Sequence, residues 1–239
     1  MTDWDFANDL DSVRMSVTDW PLGASQEVLR VFAQWAKNLR TRMLEVINER
    51  PSRNHRQAAA AHVLRLQSLC EAIVLLNEHG LFEESATLVR VLAEFAICAD
   101  WIGTDDSRAW DFGSDLADST MSGDKRRKEH LNIEPSFEQF ENVKRIVNLA
   151  ERAKQAGTGS MKLYAAIWDI VSQPTHNATS VIGRVEKEAQ ERWGRGIAAL
   201  AVNAASHLAY HTAKTLGIEE RRDMLRIALE KWAAARPAK

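Results

Sequence analysis

Residues 87–102 read TLVRVLAEFAICADWI. The run is apolar almost all the way round a helix, and a helix hydrophobic on every face has to be enclosed by other elements. It nevertheless carries Arg90 and Glu94 one turn apart, with Asp100 only near its end. A buried charge is costly unless it is paired and hydrogen-bonded. The stretch therefore marks the centre of the fold and predicts a buried Arg90–Glu94 ion pair within it.

On either side the apolar spacing stays helical. A first helix is predicted from Ser25, which can cap it, to Arg50, with Val28, Phe32, Trp35, Leu39, Met43, Val46 and Ile47 on one stripe. Pro51 and Ser52 mark a turn. A second helix runs to His79 with Val63, Leu66, Leu69, Cys70, Ile73, Val74 and Leu76 inward, and Gly80 suits the position just past its end. The central helix begins near Phe82 and breaks at Gly103 and Thr104. A more polar helix follows from Asp106. Ser136-x-x-Gln139 reads as a capping box for a fifth that ends at Gly157, and Ser160 opens a sixth that Pro174 stops. A seventh is interrupted near Gly194 and Gly196, then resumes as an Ala-rich segment to Leu216 with Gly217 as its cap. The last spans Glu219 to Ala235. No stretch alternates like a strand, and no solenoid period recurs. The prediction is an all-α chain: one helical-bundle domain of seven or eight helices over residues 21–239, its long N-terminal helices antiparallel, preceded by an acidic peripheral segment at 1–20.

Composition narrows the function. The formal net charge of -2 argues against a general binder of nucleic acid or anionic membranes. Cys70 and Cys98 sit inside apolar helical patterns, so they read as small core residues and not as a disulfide framework. The opening MTDWDFANDLD lacks a secretory layout. The longest span without Lys, Arg, Asp or Glu, Gly196 to Ala213, holds Asn203, Ser206, His207 and His211 and makes a poor membrane span. A cytoplasmic protein with no membrane segment and no cofactor is expected. The alanines between Ile197 and Ala213 permit close backbone approach, which suits a homodimer or other homo-oligomer built through helices, or a protein partner.

Three sets of residues can carry chemistry. Arg90 and Glu94 are spaced to meet on one helix face, Arg90 to bind an anion and Glu94 to act as acid or base. His176 can complete that set, because its ordinary pKa suits proton transfer. His207 and His211, at i and i+4, put two rings on one face, a geometry that holds a divalent metal once a third ligand is found. Asn203 and Tyr210 flank that pair, and His176 or a carboxylate is the source expected for the third ligand. Two histidines alone are an incomplete site. No nucleophile elbow, phosphate-binding loop or dinucleotide loop occurs.

Leu81 to Trp101 resembles a bacterial all-helical family of unknown function whose members carry an Arg-x-x-x-Glu pair on a central apolar helix, here Arg90 and Glu94, and a later Tyr…Ser-x-x-x-His segment, here Tyr164, Ser172 and His176. The resemblance covers about residues 25 to 180 and implies a helical fold with these residues as a candidate cluster. Arg50-x4-His55 and Arg56-x5-His62 also resemble, weakly, the Arg-x(4–6)-His spacing of HEPN-type nucleases. The reading favoured by the sequence is a non-catalytic helical binding or interaction module, regulatory or defence-related in bacteria as the resemblance implies. The alternative is a HEPN-like or metal-dependent hydrolase acting on RNA or a phosphate ester.

Overall fold

The computed structural model describes residues 22–48, 53–105, 107–109, 148–168 and 187–218, with side chains placed for all but 42–48, 53–57 and 187–189. Every regular element among them is helical: α1 (Leu22–Asn48), α2 (Arg53–Glu78), α3 (Phe82–Gly103), α4 (Leu149–Ala156), α5 (Thr158–Ala166) and α6 (Lys187–Leu216). These six helices form a single all-α domain. The helices expected from Asp106, from Ser136 and from Glu219 fall mostly or wholly outside the described residues, as do the segment 1–20, Ser172 and His176.

Three of the predicted ends are where glycine places them. Gly80 takes φ +70° and Gly217 φ +67°. At the first, Leu81 N–H donates to Leu76 O and Gly80 N–H to Asn77 O. At the second, Ile218 N–H donates to Ala213 O and Gly217 N–H to Lys214 O. Both are paired closures that satisfy orphan carbonyls at a helix end. Gly157, at φ +122°, separates α4 from α5. α4 starts with Asn148, whose side chain accepts from Glu151 N–H at 2.9 Å.

Other expectations need correction. Ser25 does not cap α1, which starts at Leu22 and buries Ser25. Ser160 lies inside α5, which begins at Thr158. α6 runs unbroken through Gly194 and Gly196. Gly194 is there for packing, since a Cβ on it would stand 2.5–2.7 Å from ring carbons of Phe82. A glycine in mid-helix costs roughly 1 kcal/mol against alanine, and close seating of the Phe82 ring offsets it.

α3 lies at the centre as predicted, but its enclosure is graded. Its first half keeps an outward stripe at Glu84, Thr87, Arg90 and Glu94. Its second half is buried on every side, Ala96 to Ile102 without exception. The core joins Val28, Leu29 and Phe32 of α1, Val63, Leu66 and Ile73 of α2, Val89, Leu92 and Ile97 of α3, and Ile197, Val202 and Leu208 of α6. The close approach allowed by Ala198, Ala201, Ala204, Ala205 and Ala209 is made to α1, α2 and α3 of the same chain. In α2, Ala58–Glu78 is long and apolar enough to cross a bilayer by length and composition. Here its inner side, including Val63, Leu66 and Cys70, is core.

Within α2, His62 is fully enclosed and packs edge-on to Phe95, with ring centroids 6.1 Å apart. Burial pushes its pKa down to about 4 from an ordinary 6.5. The folded state thus keeps His62 neutral over a range where the unfolded chain takes up a proton. Its contribution is fully present above pH 6.5 and is lost as pH falls toward 4, amounting to about 2–4 kcal/mol. Chemical denaturation of wild type and His62→Leu at pH 7 and pH 4 should show the wild type losing that much more stability than the variant; equal losses would contradict it.

Candidate metal centre

Asp100 is the acid in the fully enclosed half of α3, and only 8% of it is exposed. An ionised carboxylate in such a place needs partners, and it has three. Ser160 Oγ donates to Asp100 Oδ2 at 2.7 Å. His207 Nε2 lies 3.4 Å from Oδ2, and His211 Nδ1 lies 3.0 Å from Oδ1. The i, i+4 spacing on α6 stacks the two imidazoles, with centroids 4.4 Å apart. The ligand atoms of Asp100, His207 and His211 all lie within 4.8 Å of one another. Three elements converge here, and α3 with α6 is the most extensive helix pair in the domain.

The electrostatics keep the metal-binding forms. Burial by itself would raise the Asp100 pKa. The hydrogen bond from His207, the electrostatic pull of the His211 and His207 rings and the hydrogen bond from Ser160 outweigh it, so the carboxyl is held below its ordinary value. His211 is pushed down to about 3, first by burial and then by neighbouring His207, with Lys214 adding to the fall and Asp100 opposing it. His211 is therefore a neutral imidazole at pH 7, the form that ligates metals. An edge of a tetrahedral site with bonds of ~2.0 Å measures about 3.3 Å. The ring nitrogens stand 3.4 Å from Asp100 Oδ2 and 3.0 Å from Oδ1, two different oxygens, and the ligand atoms all lie within 4.8 Å of one another, a spread that small side-chain shifts close around one cation. The cluster is able to coordinate a metal ion.

The same geometry excludes a serine-nucleophile relay. In such a relay the serine and the acid face opposite ring nitrogens of the histidine. Here His207 Nε2 faces both Ser160 Oγ, at 3.2 Å, and Asp100 Oδ2. The Ser160 hydroxyl donates its hydrogen bond to Asp100 directly. Cys98 is no nucleophile either, because burial raises its thiol pKa against the opposing pull of Arg152, whose Nη1 donates to Sγ at 3.3 Å.

The sequence-derived candidates divide sharply. His207 and His211 find the carboxylate they lacked in Asp100. Tyr210 packs its ring against His211, with centroids 5.0 Å apart and planes at 84°. Asn203 is half-buried one turn before His207. Tyr164, on α5, packs against the core. Arg90 and Glu94 do pair, Nε to Oε1 at 3.0 Å, but each side chain is 37% exposed. The expected buried ion pair is thus a part-exposed one, worth about 0–1 kcal/mol. It lies on the stripe that includes exposed Thr87, so enclosure of the helix does not reach it. Among the HEPN-type spacings, Arg50 and the side chains of His55 and Arg56 lie outside the described residues, and His62 is sealed in the core.

Asp100 and Ser160 are the members that sequence reasoning passed over. The signal for Asp100 was present: it is the one carboxylate in the seven-residue run Ala96 to Ile102. Ser160 carried a weaker one, the pattern Gly157-Thr158-Gly159-Ser160, which reads equally well as a helix start.

A family model described as a family of unknown function (DUF5677) matches residues 56–191. No curated protein and no solved structure matches the chain. The matched span carries Arg90, Glu94, Asp100, Ser160 and Tyr164, whereas His207 and His211 lie beyond its end. It covers more than half of the sequence and includes the central helix whose pattern decides the fold: the chain belongs to the DUF5677 family.

Proposed function

We propose that this protein is a metal-dependent hydrolase in which Asp100, His207 and His211 hold one divalent cation, and that it acts on a phosphate ester or RNA. The observation that carries the reading is the convergence of a buried carboxylate and two imidazoles from α3 and α6 onto one point. Imidazole with carboxylate is a donor set for zinc, cobalt, iron or manganese. A cation so held lowers the pKa of bound water and polarises a phosphoryl or carbonyl oxygen.

The protein's own groups supply the rest. Asp100 balances the positive charge and spans both imidazoles through its two oxygens. His211, at 13% side-chain exposure against 6% for His207, forms the more open edge of the cluster, the side from which water or a substrate oxygen would enter. Two guanidiniums stand against Trp101, the residue after Asp100: Arg152 at 4.9 Å and Arg108 at 5.4 Å from its ring centroid.

Two measurements test the reading. Zinc at a hundredfold excess over its Kd should stabilise the folded chain by about 2.7 kcal/mol, which raises Tm by about 5–10 °C for a protein of this size. Asp100→Asn should abolish the rise, and an equal rise in that variant would place the cation elsewhere. Separately, zinc- or manganese-loaded protein should cleave a chromogenic phosphodiester or mixed RNA. Chelation, His207→Ala and His211→Ala should each lower the rate by about a hundredfold or more. A protein that binds the metal but leaves both substrates intact would return the reading to an interaction module.

A further inference from the structure

Resting on the metal-centre reading, we infer that Ser160 is a fourth ligand of the cation, which makes the site an Asp-His-His-Ser set of two nitrogens and two oxygens. Four observations carry this. First, Ser160 Oγ already stands 3.2 Å from His207 Nε2 and 2.7 Å from Asp100 Oδ2, so it is a neighbour to two of the three other donor atoms. The first distance is close to an edge of a tetrahedron of ~2.0 Å bonds, and the second is a hydrogen bond in which the neutral hydroxyl keeps its proton while its oxygen still has a lone pair to offer a cation. Second, Ser160 has no exposed surface. Its oxygen does not exchange partners with bulk water, and nothing but the cluster accounts for its orientation.

Third, the chain leading to Ser160 is shaped for that approach. Gly157 takes φ +122°, a conformation side chains rarely adopt, so α4 ends and α5 starts with no intervening loop. Two residues later, a Cβ on Gly159 would stand 3.3 Å from His207 Cε1, tighter than ordinary packing, and glycine removes that obstacle. These two glycines let the first turn of α5 press its hydroxyl into the histidine pair. Fourth, Asp100 Oδ2 faces both Ser160 and His207 while Oδ1 faces His211. Three groups thus converge on the one carboxylate, and Ser160 and His207 share its Oδ2.

The consequence is a harder donor set than histidine and carboxylate alone, and a cation that ties α5 to α3 and α6. Water or a substrate oxygen then joins as a fifth donor from the His211 edge, an expansion that catalytic zinc tolerates. Ser160 takes no covalent part in this scheme.

Cobalt(II), a spectroscopic stand-in for zinc, tests the assignment on the full chain. Wild type should bind it with visible d–d absorption of tetrahedral or five-coordinate intensity. Ser160→Cys should add a sulfur-to-cobalt charge-transfer band in the near ultraviolet and bind more tightly. Ser160→Ala should weaken binding by about tenfold or more. If Ser160→Cys binds cobalt like wild type without that band, and Ser160→Ala is unchanged, Ser160 lies outside the coordination sphere while the three-residue centre stands. If wild type binds no cobalt, the metal-centre reading falls and this inference with it. Should Ser160→Cys not fold, as judged by circular dichroism, the cobalt spectrum of Ser160→Ala decides: d–d bands altered in position and intensity support a lost ligand, whereas wild-type bands at weaker affinity place Ser160 outside the coordination sphere.

Discussion

A carboxylate has been placed where the central helix is closed to water on every side, and the surrounding structure answers to it. Asp100 stays ionised at that position because two imidazoles and a hydroxyl turn toward it. Removing such partners from a buried charge costs several kcal/mol. The position of α6 beside α3, the i, i+4 spacing of its histidines and the glycine-shaped start of α5 all meet this one requirement. The apolar core would hold the helices together without the cluster. The cluster adds the register in which they meet, which is the best-attested use of buried polar groups.

The same need can be met by protons or by a cation. Without a metal, ring N–H groups and the Ser160 hydroxyl share the carboxylate. With one, the ring nitrogens would turn lone pairs inward, a change that an imidazole makes by switching tautomer. A polar network this complete is also a preorganised ligand set, because packing already fixes its side chains. That preorganisation explains how a helical domain without a glycine-rich loop or a nucleophile elbow can still hold a cluster able to coordinate a metal ion.

Much of the architecture was legible in the sequence, and the reasons differ by residue. The helical periodicities of 25–50, 53–79 and 82–103 were strong because each run is long and one-sided or wholly apolar, and Gly80, Gly157 and Gly217 correctly marked the ends of α2, α4 and α6. Gly194 misled because packing against the Phe82 ring, a long-range contact, decides its meaning. Arg90 and Glu94 drew attention because their spacing advertises a pair. Yet the outward stripe of α3 could be identified only once its neighbours were placed. The histidine pair was legible as half a site, since helical spacing brings His207 and His211 together. Its other half comes from residues more than 100 positions away in Asp100 and 47 in Ser160. No local pattern encodes a meeting of that kind.

The most direct test of the account is X-ray absorption at the zinc edge on the full chain loaded with a single equivalent of zinc. A first shell of four or five nitrogen and oxygen donors at about 2.0–2.1 Å, with the outer-shell scattering of two imidazoles that disappears in a His207→Ala, His211→Ala double variant, is the predicted result. A spectrum without imidazole scattering, or one the double variant leaves unchanged, would contradict the claim that these histidines and Asp100 hold a metal.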